Sequence, residues 1–177
     1  MLDGTKIAPN ERTQVPTKND LTDVIDRTAL IENILSQVIE AYCEPRKDRF
    51  TFFWSVLLDS SIMSMGSKTR VAMAIAQEMG FSLNQNSLHT VISLRNAFAH
   101  QPTNSHPVLI VGKPHKKNEM HLRLQILRNS GKIEMKKRQE ALADFNAAYD
   151  VAKASLIELL YAIKQQEDAS SANSRQS

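Results

Sequence analysis

A single cysteine, Cys43, stands in 177 residues. It permits no internal disulfide and fits a reducing compartment. Glycine is scarce too, with five residues, and aromatics make up 6% of the chain. That shortage disfavours a sandwich or barrel and points to helices. No run of about 18 apolar residues exists to span a bilayer. The opening "MLDGTKIAPNERTQVP" lacks the apolar core of a signal peptide, so the expectation is a cytoplasmic protein with no membrane association. Phosphate-cradling loops are missing as well: neither G-x-x-x-x-G-K-S/T nor G-x-G-x-x-G occurs, and "SMGSK" is too short to replace them. A kinase or dehydrogenase is thereby disfavoured. The serines near Asp59 and Ser60 lack the strand-to-helix elbow of a hydrolase, and His106, His115 and His121 lack the cysteine or carboxylate spacing of a zinc site. No cofactor and no metal are expected.

What is present suffices for one core. Hydrophobic residues make up 42% of the chain and charged residues 23%, in keeping with a single domain. Residues 1–18 are polar with two prolines, and 166–177 hold almost nothing to bury, so both ends are expected to be disordered around a folded part at 19–165. No repeat at a fixed period is evident.

Helical spacing dominates the folded part. Val24, Thr28, Ile31, Leu35, Val38 and Tyr42 recur at steps of four and three, one face of an amphipathic helix. Asn19 or Asp20 is placed to cap it and Pro45 to end it. Leu142, Phe145, Tyr149, Ala152, Leu156, Leu159 and Ile163 repeat the pattern in a second long helix. Between them, "RFTFFWSVLLDSSIM" is a dense apolar segment read as helical, and "SKTRVAMAIAQEMG" reads as a helix from a Ser67 cap to a Gly80 stop. In the stretch 108–137 the period changes to two: Leu122, Leu124 and Ile126, then Ile133 and Met135, flank a turn at Gly131. This predicts a β-hairpin, with "PVLIVG" as a third strand.

The stretch "SLRNAFAHQ" carries the candidate chemistry. Leu88, Ile92, Arg95 and Ala99 fall at i, i+4, i+7 and i+11, which sets Arg95 in line with apolar side chains, an expensive place for a guanidinium without an anion. His100 follows roughly 140° further around the helix, at its last turn before Pro102. The partial negative charge of a helix C-terminus favours imidazolium there. A proton-transfer group beside a planar fork matched to phosphate oxygens suits phosphodiester chemistry without a metal. The ordinary alternative is an arginine and a histidine that merely decorate the surface.

The segment "LRNAFAH" resembles the R-x4-6-H motif of the HEPN superfamily, with Arg95, four intervening residues and His100. The layout is similar as well: a long first helix "ALIENILSQVIEAY", the block "FFWSVLLDSSIMSMGSKTRVAMAIAQEMG", the motif near the end of a later helix, and a long closing helix. The resemblance covers about residues 20–165. The region 108–137 resembles an insertion found in some branches, such as the MAE-type and mannitol-repressor-like groups. The fold it implies is mainly α, an antiparallel helical bundle with a small β-hairpin insertion before the last long helix.

The resemblance further implies a metal-independent endoribonuclease with a composite site at a homodimer interface, in the setting of a toxin or phage-defence effector. His100 would activate the ribose 2′-hydroxyl, Arg95 would stabilise the phosphorane charge, and Asn96 would orient substrate or histidine. A nucleotidyltransferase-like antitoxin is an implied partner. The alternative is a non-catalytic dimeric HEPN regulator or adaptor.

Charge adds a separate argument. The chain carries only +3, yet residues 113–138 hold nine Lys or Arg against Glu119 and Glu134. Lys116, Lys117, Arg123, Lys132, Lys136 and Lys137, with Arg123, Lys132 and Lys136 at outward hairpin positions, are candidates to grip an RNA backbone without sequence preference. No DNA specificity is expected. The competing reading is a solvated sheet edge protected by lysines.

Overall fold

The computed structural model of the chain describes residues 18–100, 108–110, 119–121, 123–128 and 130–174. The helices are α1 (Lys18–Cys43), α2 (Phe50–Phe52), α3 (Met65–Glu78), α4 (Gln85–His100) and α5 (Arg138–Ser174), of which all but the short α2 enclose the core. Strands β1 (Val108–Ile110), β2 (Glu119–His121), β3 (Arg123–Leu127) and β4 (Ile133–Lys137) lie between α4 and α5. The result is mainly helical, with a small antiparallel β element before the last helix. Among the described residues no helix is long and apolar enough to cross a membrane.

α1 buries the face its spacing predicts: Val24, Ile31, Leu35 and Val38 are fully enclosed. Thr28 lies among them because its hydroxyl donates to the Val24 carbonyl at 2.7 Å, leaving no orphaned donor. The helix starts at Lys18, so Asn19 and Asp20 belong to its first turn and do not cap it. It ends at Cys43, where Glu44 takes a left-handed φ of 41° and Pro45 follows. The apolar segment after it is not one regular helix. α2 is a single turn that widens into a π-helical turn over Phe53–Leu57. α3 is capped by Ser64, whose hydroxyl accepts from the Ser67 amide; the expected cap residue sits three places too late, inside the first turn. Gly80 ends α3 at φ 66°. Its amide donates to Gln77 and that of Phe81 to Ala76, the pairing that satisfies a helix's last carbonyls.

α5 packs against both α1 and α4, and α3 packs against α1. Asp20 meets Arg138 and Arg27 meets Asn146, so α1 and α5 run parallel. Phe98 lies under Arg138 while the Asn84 amide donates to Ser155, so α4 runs antiparallel to both. The bundle is therefore antiparallel only about α4. α5 continues to Ser174, so most of 166–177, expected from its composition to be unstructured, is helical backbone: extending an existing helix costs far less than starting one. Residues 1–17 lie outside the described residues.

The β element departs from expectation in two ways. β1 pairs with β2, and β3 with β4, as two separate ladders, so the described part of the expected third strand, β1, does not join the hairpin. In the second ladder Leu124 faces Lys136 and Ile126 faces Glu134. Directly opposed residues share a face, so Lys136 and Glu134 lie on the side of the buried Leu124 and Ile126. Ile133 and Met135 are left outside, 56% and 48% exposed. Shifting register by one residue exchanges the faces, and the turn through Gly131 selects this one.

Candidate nucleic-acid site at the end of helix 4

Asn84 starts α4 by accepting the Ser87 amide at 3.1 Å. From there Ser87, Leu88, Val91, Leu94, Ala97 and Phe98 form the buried arc. The line Leu88, Ile92, Arg95, Ala99 runs along the margin of this arc, not down its centre: Leu88 is enclosed, Ile92 and Arg95 are half-buried, and Ala99 is exposed. The expectation that Arg95 stands in line with buried side chains is thus corrected. The spacing carries the helical period but not the phase, because Ile92 and Ala99 are as apolar as the residues that face the core.

Asn96, Ala99 and His100 are exposed. Arg95 Nη1 donates to Asn96 Oδ1 at 3.2 Å, and among the described residues no carboxylate pairs with this guanidinium. Asn96 and Ala99 lie between Arg95 and His100 on an open arc of roughly 140°, spread over about 7.5 Å of rise. The methyl of Ala99 leaves that arc low. A separation of roughly 140° sets Arg95 and His100 on different flanks of the helix end, which suits a phosphate bound between this surface and a second one brought against it.

The hairpin cations are dispersed. Lys136 is bound to Asp144 of α5 and to Glu134, and Arg128 to the same Glu134 at 2.7 Å. Lys136 is consequently held above the ordinary lysine range, first by the Asp144 hydrogen bond. Glu134 is held below the ordinary carboxylate range, first by Arg128. The outward placement expected for Lys136 is wrong for the register just described. Arg123 is half-buried as well, with Nε enclosed and unbonded. Lys132 and Lys137 are exposed at opposite ends of β4. Lys116 and Lys117 lie outside the described residues.

One further cation is enclosed. Arg138, the first residue of α5, is 8% exposed, and its guanidinium lies 4.9 Å from the centre of the Phe98 ring. Its signal was present: Arg138, Leu142 and Phe145 are spaced i, i+4, i+7, one turn upstream of the stripe that was recognised. The arginine on an apolar stripe belongs to α5. Among the described residues no group of three histidine, cysteine or acidic side chains could hold a metal ion.

Fold and site together define a mainly helical bundle with an Arg-Asn-His cluster at one helix end. Neither a protein-family model, a curated protein nor a solved structure matches the chain.

Proposed function

We propose that the chain is a metal-independent endoribonuclease of HEPN type, with a composite site formed when two copies set their α4 ends together. One observation carries this: Arg95, Asn96 and His100 share the solvent-facing arc of α4, and Arg95 has no acidic partner among the described residues. A cation held at the surface with its charge unspent is what a phosphodiester needs. The chemistry follows from the residue types. The His100 imidazole takes the proton of a ribose 2′-hydroxyl, the 2′-oxygen attacks the adjacent phosphorus, and Arg95 donates to the non-bridging oxygens as negative charge builds. The bond to the 5′-oxygen breaks and that oxygen takes a proton from water or from an imidazolium of the composite site, leaving a 2′,3′-cyclic phosphate and a 5′-hydroxyl. Asn96 steers the Arg95 fork through the bond already present. Exposed Lys132 and Lys137 supply sequence-independent phosphate contacts. A toxin or phage-defence effector, restrained by a nucleotidyltransferase-like antitoxin, is the biological setting this reading favours.

The test uses single-stranded RNA in EDTA beside the same strand with every 2′-hydroxyl methylated. Cleavage of the unmodified strand alone is expected. His100→Ala should lose about 10² to 10⁴ of the rate, and Arg95→Ala a comparable factor. Cleavage of the methylated strand, or activity abolished by EDTA, would rule the mechanism out.

A second reading, a non-catalytic dimeric regulator or adaptor, draws on exposed Phe50, Phe52 and Ile62 beside the π-helical turn, an apolar patch suited to a protein partner. RNA left intact by the wild type, with dimerisation preserved, would favour it.

A further inference from the structure

We propose that Arg138 anchors an oxyanion site of phosphate type at the N-terminus of α5, distinct from the Arg95 and His100 cluster. The Arg138 side chain is 9% exposed, yet its Nε and Nη2 have no hydrogen-bond partner. These two nitrogens form the side-on edge of the guanidinium, where two parallel N–H bonds match two oxygens of a carboxylate or phosphate. Asp20 stands nearest, with Oδ2 at 3.6 Å from Nε, close enough to offset charge and too far to bond. Phe98 covers one face of the guanidinium and contributes a cation–π attraction, which uses none of its donors.

A buried fork left empty is costly, and two further features lead to an anion as its occupant. The first amides of the 37-residue α5 add positive potential at the same end. Asp20 is 29% exposed on its side chain and lies in the first turn of α1, where helix ends fray. A tetrahedral oxyanion that takes Nε and Nη2 together displaces Asp20 from its place beside Nε.

The inference does not depend on the nuclease reading. Phe98 and His100 are two residues apart, roughly 160° around α4, so this anion sits on the opposite side of the helix end from the histidine.

The full chain is melted in sodium phosphate and in sodium chloride of matched ionic strength. Phosphate about tenfold above its dissociation constant is expected to raise Tm by roughly 3 to 6 °C over chloride. Arg138→Met should abolish that difference and His100→Ala should retain it. Asp20→Asn guards against an unfolded Arg138 variant. With the competing carboxylate gone, phosphate should raise its Tm by more than in the wild type. No phosphate-specific rise in the wild type, a rise kept by Arg138→Met, or an Asp20→Asn protein that gains no more than wild type overturns the site. A 2′-O-methyl RNA separates the two sources of phosphate. Displacement of that RNA by orthophosphate in the wild type and not in Arg138→Met assigns the site to the RNA backbone, and independent binding of the two assigns it to the free ion.

Discussion

Glu44 holds a backbone conformation that costs an L-residue roughly 1 to 2 kcal/mol, with φ at 41°. Its amide still bonds the Glu40 carbonyl at 3.0 Å, so the strain is offset by closing α1 before Pro45. Glu44→Gly keeps the bond and removes the clash. It should stabilise the chain by about 0.5 to 1 kcal/mol, read as a higher urea midpoint with unchanged slope. A lower midpoint would mean that the Glu44 side chain does something its exposure hides. Arg95 and Arg138 make the contrast in the other direction. The first is half-buried and hydrogen-bonded to its neighbour; the second is enclosed with two empty donors. Residue type alone does not separate them, since each lies on a helical line with apolar residues.

Among the elements, α1 and α3 are joined by a pair whose two halves are unequal. Lys68 has 4% of its side chain exposed and Glu32 has 24%, and they meet at 2.8 Å. Glu32→Ala leaves an enclosed ammonium unopposed and should cost about 3 to 5 kcal/mol, whereas Lys68→Met removes the charge that needs opposing and should be close to neutral. Equal losses in a denaturant titration would refute the asymmetry. The hairpin is fastened differently, through Arg128, Glu134, Lys136 and Asp144. Glu134 has a folded-state pKa below the glutamate value of 4.5. Its contribution is complete above that value and is lost as pH falls through the lower folded-state one. Lys136 is raised, so its contribution is present at neutral pH, where its carboxylate partners are ionised, and at the alkaline end is lost as pH rises through a value above 10.5. The Tm gap between wild type and Glu134→Gln should therefore narrow as pH drops below about 4.5, and a gap constant from pH 7 to pH 3 would exclude the linkage. Since Lys136 is tied down, charge reversal at Lys132 and Lys137 should lower the salt slope of RNA binding by roughly one per cation removed; an unchanged slope would leave these lysines as protected edge.

At the scale of the whole molecule, the open arc of α4 and two exposed apolar regions set the question of assembly. Leu127, Ile133 and Met135 line the outer face of the β3–β4 hairpin, and Phe50, Phe52 and Ile62 lie after α1. If two copies meet through the α4 ends, a large charged group at the exposed, central Ala99 must separate them. Ala99→Arg should yield a monomeric mass by light scattering and lose RNA cleavage, with stability changed by no more than about 0.5 kcal/mol. A wild type already monomeric at micromolar concentration would remove the composite site.

The sequence by itself determined what depends on neighbours a few residues apart: the stripes of α1 and α5, the Schellman end at Gly80, the turn at Gly131 and the spacing of Arg95 to His100. These follow from helical period, φ preference and capping, which act within one or two turns. Tertiary structure decided phase and partnership. Which side of α4 is buried depends on where α5 lies, which face of β4 turns inward depends on its register with β3, and whether Lys136 is free depends on Asp144 of α5. It also decided that the costly arginine is Arg138, because only the packing of Phe98, Asp20 and the start of α5 around one guanidinium withdraws it from water.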